Sequence, residues 1–177
     1  ASTMRPFWQV PIINKKLITM SRYWAKPVIM ATEMLSSMIK NPLPTRAETS
    51  DCANAIMDGC DSTMTSNETA VGSDPARVVE TMAKISEYTC EHGISYIPSV
   101  KAREDNGQEV LSCAALPAAY ERRAKAIVVL ASSTDPIASI SKFRPSIPIY
   151  AFTPNEETYY QLSLYWGTFA VFTPDLL

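Results

Sequence analysis

Three short apolar runs, AIVVLA at 126–131, PIYAF at 148–152 and TFAVFT at 168–173, are separated by helix-type sequence, with no two-residue turn joining any pair. Strands linked through helices run parallel, because the chain must cross back over the sheet before the next strand can start. AIVVLA is the clearest buried strand pattern in the chain, and KPVIMA at 26–31 fits a buried parallel strand covered on both faces. The same rhythm opens the chain. Residues 10–25 place Ile13, Leu17, Met20 and Trp24 at helical spacing, and KPVIMA at 26–31 follows as a short strand pattern. MLSSMIK then reads as a short helix, stopped by Asn41-Pro42-Leu43-Pro44. Thr45 is a natural N-cap with Glu48 at the capping-box position. A helix from 46 to about 58 turns Ala47, Cys52, Ala55 and Ile56 inward and has Gly59 beyond its end. CDSTMTS at 60–66 is a weaker strand, and Asp74-Pro75 opens a long helix with Val78, Met82, Ile85 and Tyr88 or Thr89 on one face.

Periodicity fails from Ile94 to Leu111, where Pro98, charged residues and Asn106-Gly107 gather. The sequence therefore divides into residues 1–93, a linker at 94–111, and an α/β segment at 112–177. Sixteen basic against eighteen acidic residues leave a net charge of −2, which offers no positive field for nucleic acid. No apolar run approaches the roughly 18–20 residues of a membrane-spanning helix. Cys52, Cys60, Cys90 and Cys113 show no CxxC pair, and their thiols are expected to be reduced and packed. His92 is the only histidine, which excludes a multi-histidine metal site. Arg122, Arg123 and Lys125 form a short basic cluster expected on a solvated helix face.

The stretch KPVIMATEMLSSMIKNPLPTRAETSDCANAIMDGCDSTMTSNETAVG closely resembles pyruvate kinases, with PTRAE and SDCANAIMDG as its most specific strings. The resemblance continues in AIVVLASSTDPIASISKFRPSIPIYAFTPNEETYYQLSLYWGTFAVF, which is similar to the first strands and helices of that family's C-terminal domain. It implies an incomplete (β/α)8 barrel remnant, the last two barrel units, followed by a small parallel-sheet α/β subdomain. It also implies a family reaction that moves a phosphoryl group from phosphoenolpyruvate to ADP, using Mg²⁺ and K⁺.

By that resemblance three residues mark the site. Thr32 stands where the family has a threonine at the end of its seventh barrel strand, beside the substrate and tied to the proton relay. Ser66 and Glu68 keep the hydroxyl and carboxylate of the loop after the eighth strand. Each also has a plain structural role open to it, Thr32 as a strand-end hydroxyl and the loop residues as its framework. Around them the pattern departs: Glu33 replaces a glutamine, Asn67 a glycine and Val71 a lysine. An isopropyl group cannot neutralise phosphate charge. The family's metal ligands and catalytic lysine belong to earlier strands, and upstream STMRPFWQ offers only Arg5 as a charged side chain. At 131–136 the family's effector-phosphate cradle has become Ala-Ser-Ser-Thr-Asp-Pro, with no cation and one amide fewer.

The expectation is a relative that binds no cofactor of its own, has lost phosphoryl transfer and serves as a structural or interaction subunit. The alternatives are a fragment of an active enzyme and a small-molecule binding module around Thr32, Ser66 and Glu68. Two barrel units cannot close a barrel, so protein partners are expected over the open face bearing Val28, Met30 and Met64. Nucleic acid and membrane are not expected partners. An intracellular, cytoplasmic location is expected, with an organellar or cytoskeletal assembly also compatible.

Overall fold

The computed structural model describes residues 5–31 and 33–175. Its elements are α1 (Val10–Tyr23), β1 (Ile29–Met30), α2 (Arg46–Met57), β2 (Ser62–Thr63), α3 (Asn67–Ala70), α4 (Pro75–Gly93), α5 (Gly107–Glu121), β3 (Ile127–Leu130), α6 (Asp135–Ser141), β4 (Ile149–Thr153), α7 (Glu156–Leu162) and β5 (Thr168–Phe172). Single 3-10 turns occur at Phe7–Gln9, Ser36–Ile39 and Ile94–Tyr96. All strand pairs are parallel, in a two-stranded sheet β1-β2 and a three-stranded sheet β3-β4-β5. This is an α/β fold, and no barrel closes among the described residues. None of their helices is long and apolar enough to cross a membrane.

The contacts divide the chain into two compact units. One is Val28–Pro98; the other joins the residues up to Pro27 with those from Ser99 onward. By contact, α1 therefore groups with the later sheet, whereas the sequence segments place it with the first.

In the unit from Val28 to Pro98, local chemistry sets the helix ends. Thr45 accepts the Glu48 amide hydrogen bond while the Glu48 side chain accepts the Thr45 amide, a complete capping box. Asp74 caps α4 by accepting from the Arg77 amide, and Pro75 fills a first-turn position that has no hydrogen-bond duty. Cys52, Ala55, Ile56, Val78, Met82 and Thr89 face inward from α2 and α4 as their spacing predicts, but Ala47 and Tyr88 are exposed. The strands are much shorter than their apolar runs, two residues each.

In the other unit, β3, β4 and β5 are joined through α6 and α7. The core comprises Ala131, Ile137, Ala151 and Leu162, with Val129, Tyr165 and Ala170 packed against it. Only one sheet face is filled. Val128 is level with Tyr150, and Tyr150 with Phe169, along the opposite face. There Val128 and Leu130 are 63% and 67% exposed. The expectation that AIVVLA is a buried strand is corrected here: Ile137 of α6 and Leu162 of α7 join one core, so both helices pack on the same side of the sheet.

Three further expectations change. Helix α1 buries Ile18 and Arg22, while Leu17, Met20 and Trp24 are exposed. Helix α5 starts at Gly107, inside the stretch where periodicity fails, because the Asn106 side chain accepts the Glu109 amide. Of the four thiols Cys52 and Cys60 are packed, whereas Cys90 and Cys113 are exposed.

Candidate functional site

Parallel pairing of Ile29 with Ser62 and Met30 with Thr63 brings the C-terminal ends of β1 and β2 to one edge. The loops that leave these strands start side by side, and the Met64 amide donates to the Met30 carbonyl at 2.9 Å. In parallel α/β architectures this edge is where chemistry collects. Thr32, the first candidate, lies outside the described residues. Its neighbour Glu33 is exposed and adopts a left-handed φ of 54°, which is uncommon for a residue with a β-carbon.

Ser66 and Glu68 are brought together, and through Glu68 the second loop is tied to the first. Glu68 is 1% exposed. Its Oε2 accepts the Ser66 amide at 3.1 Å and its Oε1 accepts the Leu35 amide at 3.3 Å, across 33 positions of sequence. A buried carboxylate is tolerated only where such donors replace its water. The Thr65 and Thr69 hydroxyls are 3.0 Å apart, and Thr69 also donates from its hydroxyl to the Ser66 carbonyl at 3.1 Å. Beneath the first loop the Cys52 thiol donates to the Met34 carbonyl at 3.5 Å, and burial pushes that thiol up to about 11.

Gly72 closes the second loop. A β-carbon there would stand 2.0 Å from the Glu68 carbonyl oxygen, so only glycine lets the chain pass. Sequence reasoning gave this residue no role of its own, although a glycine two positions past the short α3 is the available signal. It also missed the Leu35 amide as the partner of Glu68, which no spacing rule reveals.

These groups can hold two loops in register. Both oxygens of Glu68 are engaged and enclosed by protein, so it is not presented to solvent as an acid, base or metal ligand. No three His, Cys, Asp or Glu side chains cluster to hold a metal ion among the described residues. Val71, where the family resemblance implied a lysine, presents an exposed isopropyl group. A surface cleft of about 590 Å³ lined by Leu43, Thr49, Arg77, Glu80 and Lys84, among others, shares no residue with the two loops.

The loop after β3 leads into α6. Helix α6 begins at Asp135 with Pro136 in its first turn, and Thr134 makes no side-chain cap. A carboxylate and a missing amide both oppose anion binding at this end.

Comparison with known proteins agrees with this framework. Residues 4–79 match the family described as pyruvate kinase, barrel domain, and residues 109–176 match pyruvate kinase, alpha/beta domain. The chain is 40% identical over 175 residues to a pyruvate kinase of Corynebacterium glutamicum, covering 97% of this chain and 36% of the relative. It is 43% identical over 179 residues to one from Agaricus bisporus, covering 96% of this chain and 33% of the relative. A crystal structure of a pyruvate kinase from Cryptosporidium parvum superposes with a TM-score of 0.89 at 32% identity, covering 99% of this chain and 36% of that one. The chain thus spans about a third of the length of these relatives. With both strand-end loops, the parallel sheets and two separately matched segments in agreement, this chain belongs to the pyruvate kinase family.

Proposed function

We propose that this chain supplies the last two βα units of the barrel and the first part of the C-terminal α/β domain to a phosphotransferase. The whole protein would carry phosphoryl transfer between phosphoenolpyruvate and ADP. The division into barrel-derived residues 1–93, a linker at 94–111 and a C-terminal part at 112–177 belongs to this proposal and refers to descent. Its main support is that both strand-end loops persist in one chain with Glu68 spanning them, in a sequence about 40% identical to relatives named pyruvate kinase. In phosphoryl transfer most of the protein's work is positioning and electrostatic stabilisation. This segment performs positioning: Glu68 fixes Leu35 and Ser66, and Gly72 closes the turn. Groups that would hold Mg²⁺ and K⁺ and stabilise the transferred charge come from outside this segment. The exposed Ile29 and Met64 beside β1 and β2 are covered by protein in the assembled molecule.

A second reading, a structural subunit that has lost transfer, draws on Val71 and Glu33, which leave the loops without a cation and with an added carboxylate. Ligand-dependent stabilisation of the complete polypeptide tests the first step of the proposal. Phosphoenolpyruvate or ADP at a hundred times its dissociation constant stabilises the bound form by about 2.7 kcal/mol, a rise of several degrees in melting temperature. No rise with either ligand at millimolar concentration contradicts substrate binding.

A further inference from the structure

A group of buried charges lies outside the strand-end loops and has no part in the proposed chemistry. Glu109, in the first turn of α5, is 0% exposed. Its carboxylate accepts the Arg103 amide and the Arg103 Nε, both at 2.9 Å, and stands 2.7 Å from Arg103 Nη2. It also accepts from Lys142 Nζ in a short, fully enclosed ion pair. Lys142 Nζ donates in turn to the Tyr23 carbonyl at 2.7 Å and lies over the Tyr23 and Phe143 rings. Buried Arg22 donates from Nε and Nη2 to the Lys142 carbonyl at 3.3 and 3.2 Å, and the Arg103 guanidinium stands 5.2 Å over the Trp24 ring.

From this cluster Lys142 and Arg103 both reach the same stretch of chain, Arg22 to Trp24, the last turn and C-cap of α1. That helix has Ile18 as its one buried apolar residue among those described. A 14-residue helix is marginal in water, so it needs docking to persist. The core of the β3-β4-β5 sheet, by contrast, uses none of the residues in the cluster. We propose that the Glu109–Lys142 pair is a latch. Closed, it docks the end of α1 onto α5 and the C-terminal end of α6; opened, it releases α1 while the sheet stays folded.

Hydrogen exchange followed by mass spectrometry on the full chain tests the latch with Glu109→Gln, Lys142→Met and Lys142→Arg. Amides of α1 in Glu109→Gln and Lys142→Met are expected to exchange roughly 100-fold faster or more, because an unpaired buried charge or a lost partner destabilises the closed state. Peptides from β3, β4 and β5 should keep their protection, and Lys142→Arg should retain part of the α1 protection. Equal loss in α1 and the sheet overturns the proposal, since the cluster is then ordinary core; so does unchanged exchange in α1. The unsubstituted chain gives an independent reading. Under mild denaturant α1 must open before β4, and identical opening of the two contradicts the latch even if a variant fails to fold.

Discussion

Replacing Glu68 by glutamine keeps the volume of the side chain and changes only its hydrogen bonding. The carboxylate accepts two amides, Leu35 at 3.3 Å and Ser66 at 3.1 Å, in a place that is 1% exposed. Glutamine has one oxygen for one of these donors and sets an NH₂ group against the other, donor facing donor. An unsatisfied buried amide costs about 1–3 kcal/mol, and losing the negative charge weakens the surviving bond by roughly 1 kcal/mol. The total is about 2–4 kcal/mol. With a urea slope of about 1.5 kcal/mol/M, the midpoint falls by roughly 1–3 M. The tryptophans Trp8, Trp24 and Trp166 all belong to the other unit, so their fluorescence is the wrong probe. Cys52 is the right one, because its buried thiol donates to the Met34 carbonyl next to Leu35. Labelling of Cys52 against urea, resolved by mass spectrometry from the exposed Cys90 and Cys113, reports opening of this loop. A midpoint shift below about 0.3 M would refute the assignment of Glu68 to loop positioning.

Gly72→Ala forces a β-carbon against the Glu68 carbonyl oxygen and should cost about 1–3 kcal/mol, read by the same Cys52 labelling; an unchanged midpoint would mean the turn is not tight. Leu162→Ala empties a site that is 0% exposed at the centre of the second core, and a loss of about 2–5 kcal/mol is expected in tryptophan-monitored unfolding. Burial opposes ionisation of Glu48 and Glu109, but hydrogen bonds from Ser37 and Thr45 in one case, and from Arg103 and Lys142 in the other, outweigh it and hold both carboxyls below the ordinary value of 4.5. Their stabilisation is therefore complete above that value and is lost as pH falls through the lower folded-state values. Melting temperatures taken from about pH 6 to about pH 3 should drop, and by less in a Glu48→Gln, Glu109→Gln variant; equal slopes would remove these two groups from the acid response.

Features governed by neighbours in sequence were legible before the structure. Thr45 with Glu48 and Asp74 with Pro75 each complete a helix start within four residues, and the separation of three apolar runs by helices already required a parallel sheet. Faces were harder. An apolar stripe assigned Leu17, Met20 and Trp24 to the interior of α1, but the buried side holds Ile18 and Arg22, and an arginine adds nothing to an apolar count. The apolar run AIVVLA suggested a buried strand, yet among the described residues α6 and α7 pack on one side of the sheet and leave Val128 and Leu130 exposed. Asn106-Gly107 serves a turn or an N-cap equally well, and only the Glu109 amide beside it decides. At the candidate site the family resemblance pointed to Ser66 and Glu68, and the structure joins them through the Ser66 amide. The Leu35 amide that occupies half of the carboxylate is 33 positions away, and only tertiary structure supplies that pairing.

The most direct test of the account is the rate of pyruvate formation from phosphoenolpyruvate and ADP by the complete folded polypeptide, with Mg²⁺ and K⁺ each present or omitted. Turnover that requires both substrates and falls when either cation is withheld is the predicted result. A folded polypeptide that forms no pyruvate under any of these conditions would contradict the proposed phosphotransferase and leave a structural role in its place.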